Sequence, residues 1–151
     1  MAKQIMDVTH ISDPRLKRFF DYWKACRGER TMPARADIDP LDFQYVLGHV
    51  ALIDVETGDR QRYRFRVDGS TIADLCGLDL TGKYLDEATA PAERTGLERS
   101  YGELVTLGQP IHYTGMRNWE KRSCGVEGLL LPLSQDGKAV DMILDCMFVS
   151  D

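Results

Sequence analysis

Nowhere does the 151-residue chain approach the roughly 18 consecutive apolar residues that a membrane-spanning helix needs. Its first residues, Met1 to Thr9, hold no cationic segment followed by an apolar run. The expectation is a cytoplasmic protein without a membrane partner. Positive charge is also in short supply, with 19 Lys and Arg against 24 Asp and Glu and a formal net charge of −5. A surface built to neutralise phosphates needs the opposite balance, so no nucleic-acid partner is expected. The four cysteines, Cys26, Cys76, Cys124 and Cys146, include no C-x-x-C pair and have no histidine at ligand spacing. They read as reduced thiols, with no metal site.

Catalytic signatures are missing as well. The sequence has no nucleophile elbow, no glycine-rich phosphate loop and no H-E-x-x-H, and its glycines sit singly at turns and helix ends. Asp54 and Asp145 invite comparison with a carboxylate pair for acid and base work, but such a pair needs a cleft and split pKa values, and the sequence shows neither. No enzyme is expected.

What is present is an ordinary globular composition, 43% hydrophobic and 28% charged, in a length that suits one core. Asp13-Pro14 marks a helix start, because the carboxylate accepts from orphan N–H groups and proline loses nothing at the first helical position. Leu16, Phe19, Phe20 and Trp23 then form one apolar stripe before Gly28. Asp39-Pro40 is a second cap, with Phe43, Val46 and Leu47 on one side of a short helix.

Residues 49–56 and 61–67 read as two strands, the second alternating from Arg62 to Val67. Opposite residues share a face, so the favoured register sets Ile53 against Phe65, Val55 against Tyr63, Asp54 against Arg64 and Glu56 against Arg62. The basic stripe Arg62, Arg64 and Arg66 is then a solvated face answered by acidic neighbours. A short helix around Ile72, Ala73 and Leu75 ends at Gly77. A longer one opens at Pro91 and buries Leu97, Tyr101, Leu104 and Val105.

Three strands follow, near 110–117, 123–134 and 138–149. A tight turn at Asp136-Gly137 between the last two predicts Leu133 opposite Val140, Leu131 opposite Met142 and Leu129 opposite Leu144. Both faces of this meander are apolar, which predicts cover on both, the first helix providing one.

The runs LKRFFDYWKACRGERTMPARADIDP, HVALIDVE and RYRFRVDGSTIADLCGLDLTGKYLDE resemble bacterial near-stand-alone PAS proteins of the alphaproteobacterial type. The resemblance covers about residues 15–148. It implies an α+β fold, a PAS-like five-stranded antiparallel sheet with helices on one face and the N-terminal amphipathic helix on the other. The division expected is an N-terminal tail at 1–12, a helical segment at 13–48 and the PAS core at 49–151. It further implies a domain that detects a small molecule or a regulatory protein and passes on a conformational or oligomeric change, without catalysis.

No cofactor is predicted. His10, His49 and His112 lack the spacing that would specify haem, and they read as surface or satisfied core histidines. Cys76 lies in Asp-Leu-Cys-Gly-Leu-Asp rather than the Asn-Cys-Arg-Phe-Leu-Gln type of flavin photoreceptors, which disfavours light sensing. An unidentified small molecule has its natural place between sheet and helices. Candidate lining residues are Tyr63, Phe65, Leu75, Tyr84, Tyr113, Leu129, Leu131, Met142 and Leu144, which serve equally well as plain core. Leu16, Phe19, Phe20 and Trp23 form the candidate face for a protein partner or a homodimer. A ligand-free adaptor in a regulatory complex is the alternative function.

Overall fold

The computed structural model describes residues 3–6, 8–88, 91–119 and 122–150. Strands β1 (Lys3–Met6), β2 (Val50–Glu56), β3 (Arg62–Val67), β4 (Ile111–Trp119), β5 (Arg122–Leu133) and β6 (Met142–Val149) make one sheet in the order β1-β4-β5-β6-β2-β3. All its pairings are antiparallel. Helices α1 (Pro14–Arg27), α2 (Ser70–Cys76), α3 (Leu85–Ala88) and α4 (Pro91–Leu107) pack around it. The α+β architecture is the expected one, five antiparallel strands β3-β2-β6-β5-β4 between α1 and the other helices. The segment read as a tail adds a sixth strand, β1, along the outer edge of β4 with Ile5 opposite Tyr113. Four residues without flanking turn signals carry too little pattern to announce a strand.

The caps of α1 behave as their chemistry dictates. Asp13 Oδ1 accepts from Arg15 N at 2.8 Å, and the chain leaves the helix at Gly28 with φ of 61°. Leu16, Phe19, Phe20 and Trp23 are all buried. Trp23 Nε1 donates to the Pro132 carbonyl on β5 at 3.0 Å, so the helix is tied to the sheet by a hydrogen bond as well as by packing. The Asp39-Pro40 segment is a 3₁₀ helix, Pro40–His49, kinked at Phe43, and it buries Phe43 and Val46 while leaving Leu47 exposed.

The β2–β3 register is the one favoured on charge and hydrophobic pairing, with Ile53 opposite Phe65 and Asp54 opposite Arg64. The β5–β6 register differs from expectation by two residues: Leu133 faces Met142, Leu131 faces Leu144 and Leu129 faces Cys146. The connection is wider than a two-residue turn because side chains close it. Asp136 Oδ1 accepts from Ser134 Oγ, Lys138 N and Ala139 N, and Asp141 Oδ2 accepts from Gln135 N. Ser134 N donates to the Pro33 carbonyl, which removes it from the ladder. A shift of two keeps every side chain on its face, so the apolar character of both faces is unaffected.

Candidate ligand cavity

Strand parity decides which side chains can meet. Ile53 lies opposite both Phe65 on β3 and Ile143 on β6, which places Tyr63, Phe65, Ile53, Ala51, Ile143, Asp145 and Met147 on one face. Tyr113, opposite Gly128, and Arg117, opposite Cys124, share that face on β4. The other face holds Glu127, Leu129, Leu131, Leu133, Met142, Leu144, Cys146 and Phe148, together with His112.

A cavity of about 150 Å³ lies on the first face, between the sheet and helices α2 and α4. Ala51, Phe65, Arg117, Asp145 and Met147 line it from the sheet; Ile72, Cys76, Leu97 and Tyr101 line it from the helices. His49, at the entry to β2, Asp68, from the β3–α2 connection, Leu80 and the half-exposed Leu78 complete its wall.

Its polar centre is Asp145. Tyr113 Oη donates to Asp145 Oδ1 at 2.9 Å and Tyr101 Oη donates to Oδ2 at 3.0 Å. Both rings are fully buried, and burial ahead of the neighbouring Asp145 charge raises both hydroxyl pKa values well above the ordinary 10. They are therefore permanent donors that hold the carboxylate in one orientation. Tyr113 reaches Asp145 because its ring crosses Gly128, where any Cβ would run into it. Asp68 Oδ2 accepts from Leu80 N at 3.0 Å, and burial raises its pKa despite that bond, with the Asp79 and Asp145 charges adding to the rise.

Of the nine expected lining residues, the structure places Phe65 on the cavity. Tyr63 and Tyr113 stand behind it on the same face, Tyr63 edge-on to Tyr101 with centroids 5.3 Å apart. In α2 the lining positions are Ile72 and Cys76, not Leu75. Tyr84 belongs elsewhere: its hydroxyl donates to Glu56 at 2.8 Å and the Arg62 guanidinium lies over its ring. Leu129, Leu131, Met142 and Leu144 face away from the cavity. The pairing of β2 with β6 sets this, and it joins residues about 90 positions apart that no local pattern connects. Asp68, Tyr101, Arg117 and Asp145 were the missed site residues; charged residues at inward-facing strand positions were the available signal for Arg117 and Asp145.

Asp54 and Asp145 do not pair, since they lie on opposite faces and Asp54 binds Arg66 at 3.0 Å. Asp86 and Glu87 bind Arg62 at 2.9 and 2.7 Å, and the Arg64 guanidinium lies 5.8 Å from the Tyr84 ring centroid. On the α1 face, Glu127 accepts from Ser12 N, Ser12 Oγ and Asp13 N at 2.9 to 3.0 Å, and its other contact is His112 Nε2 at 2.7 Å. His112 is thus a satisfied core histidine. The α1 stripe expected to meet a partner is instead spent on the chain's own sheet, because both faces of the meander are apolar and this one needs cover.

A model of the PAS domain family matches residues 11–148. The chain belongs to the PAS domain family. The fold agrees: among solved structures, the "RNA-binding Light-Oxygen-Voltage Receptor" superposes on this PAS domain with a TM-score of 0.53 at 12% identity. That match covers 98% of the present chain and 38% of the receptor, so the chain spans well under half of that protein. No curated protein sequence matches. PAS domains are in general sensory and signalling modules. Among the described residues, no helix of this one is long and apolar enough to cross a membrane.

Proposed function

We propose that this PAS domain is a sensor whose input is a small molecule held between the sheet and helices α2 and α4. One observation carries the reading: the 150 Å³ cavity has charged and hydroxyl-bearing side chains built into its wall. Protein interiors are close-packed, with few voids larger than a water molecule, so space of this size beside an oriented carboxylate is not ordinary core. The volume matches a benzene-sized guest. A flavin is far larger and does not fit the cavity as it stands, and the residues around Cys76 lack the photoreceptor motif.

The output runs through elements that touch both the cavity and the surface. Leu97 and Tyr101 project into the site from α4, whose last turn exposes Leu107. A ligand that moves α4 changes the surface offered to a regulatory protein or a second copy of the chain. The α1 stripe takes no part in such contacts while it remains packed. The cytoplasm is the compartment this reading favours, since none of the four cysteines is held in a disulfide.

The reading is tested by methyl-resolved NMR with benzene as a neutral probe. Saturable shifts should cluster on Leu97 and Met147 and vanish in Ala51→Leu, which fills the cavity from its floor. Shifts scattered over the surface, or unaffected by Ala51→Leu, would sink the cavity sensor and leave the ligand-free adaptor.

A further inference from the structure

The electrostatics of the cavity narrow the class of molecule it takes, an inference that rests on the sensor reading above. An ionised carboxylate offers about four lone-pair sites, and the two tyrosine hydroxyls occupy one on each oxygen of Asp145. The remaining acceptor capacity belongs to a residue on the cavity wall. Among the described residues, no Lys, Arg or His nitrogen lies within the 4.0 Å of an ion pair with Asp145 or with Asp68.

Two other carboxylates against this sheet are answered. Glu127 has its three donors and His112, and Asp86 has Arg62. Removing charge from water is costly unless a partner replaces the lost hydration. Asp145 and Asp68 approach one space from opposite walls, one from the sheet and one from the β3–α2 connection; Asp145 has two hydroxyl donors and Asp68 the Leu80 N–H, but among the described residues neither has a cationic partner.

Part of the wall is apolar: Phe65, Leu97 and Met147 offer a surface to an alkyl chain. His49 also lines the cavity, its pKa held below the ordinary 6.5 by burial ahead of the Arg15 charge, so Arg117 is the permanent cation of the wall, and it opposes a second one unless that second charge sits toward Asp145. Their positions permit this. Arg117 lies opposite Cys124 on β5, and Asp145 lies opposite Leu130, six residues along that strand. At about 3.4 Å per residue that separates the two backbone positions by about 20 Å along the strand.

We infer that the cavity binds a small alkylammonium compound, with its ammonium at Asp145 and Asp68 and its alkyl chain against Phe65, Leu97 and Met147. Two sources share this chemistry, a simple primary amine and an amino acid. They differ in a carboxylate, which would lie toward Arg117.

The test titrates the folded protein with n-butylamine, L-norvaline, sodium butyrate and benzene, following the Leu97 and Met147 methyl signals. Butylamine and norvaline should bind, butyrate at least about tenfold more weakly, as expected for loss of a charge-assisted hydrogen bond. Asp145→Asn keeps the side-chain shape and should weaken both amines by about tenfold while leaving benzene unchanged. Asp68→Asn provides the same comparison if Asp145→Asn folds poorly. Tighter binding of norvaline than butylamine assigns the amino acid as the source, and equal binding assigns the amine; either supports the inference. Butyrate binding as tightly as butylamine, or amine affinity unchanged in both variants, overturns it. Benzene binding alone overturns the ammonium assignment and keeps the sensor cavity, whereas no binding by any probe removes both.

Discussion

Glu127 and Asp145 sit on neighbouring strands of one sheet and point to opposite sides. Glu127 receives two N–H groups and a hydroxyl from residues 12 and 13 and meets His112, which leaves it little unused capacity. Asp145 receives two hydroxyls and looks into open space. Around Glu127, the aromatic stripe of α1 closes the face; around Asp145, α2 and α4 stand off from it. The α1 side is organised for attachment and stability, and the α4 side leaves a cavity. Residues that look alike in sequence, inward carboxylates on adjacent strands, are separated by how fully their surroundings satisfy them.

The largest effect should come from breaking the closed side. Trp23→Ala removes a buried ring and its bond to the Pro132 carbonyl, and should cost about 4 kcal/mol in urea unfolding. The benzene-induced shifts of Leu97 and Met147 should persist in the folded fraction. A loss near zero would show that the two sides do not differ as described.

Glu127→Leu should cost about 3 kcal/mol, because the Ser12 and Asp13 N–H groups and His112 lose their acceptor. It also carries a pH signature. Burial pushes the Glu127 pKa up, but the Ser12 N–H, His112, the Ser12 hydroxyl and the Asp13 N–H outweigh it and hold the group below its ordinary 4.5. A depressed carboxyl stabilises the fold above the unfolded value, and that contribution disappears as pH falls through the folded one. Protection of the Ser12 and Asp13 amides, measured against their intrinsic exchange rates at each pH, should accordingly fall in acid in the wild type and be low at every pH in Glu127→Leu.

The smallest effect has the opposite sign. Asp68 has a raised pKa, so its ionisation opposes folding once pH exceeds the unfolded value of about 3.8. Asp68→Asn, whose amide oxygen still accepts from Leu80 N, should raise the melting temperature at pH 7. The gain should shrink as pH falls through the folded pKa toward 3.8. A lower melting temperature at pH 7 would mean that Asp68 is already satisfied, and would erase the contrast between the two faces.

Local pattern explains what could be read before the structure. Alternation from Arg62 to Val67 against the Ile53–Glu56 run specified the β2–β3 register residue by residue, because hydrophobic and charge pairing agree in one register and conflict in the next. Asp13-Pro14 and Gly28 bounded α1 for similar local reasons. The β5–β6 register escaped because Asp136 and Asp141 close the connection with side-chain bonds that a two-residue turn does not require. The site escaped for a different reason. Whether Leu144 or Asp145 shares a face with Phe65 depends on how β6 lies against β2, and an apolar run on both faces is silent on that choice.

The sheet also leaves few places for another chain to add a strand. On one side β1 occupies the edge of the nine-residue strand β4 and presents only a four-residue edge of its own. On the other, Gly82 N donates to the Phe65 carbonyl and Phe65 N to the Lys83 carbonyl, so part of the β3 edge is already paired. Open edges are where folded domains template one another into aggregates. With these occupied, the domain can be abundant without self-templating.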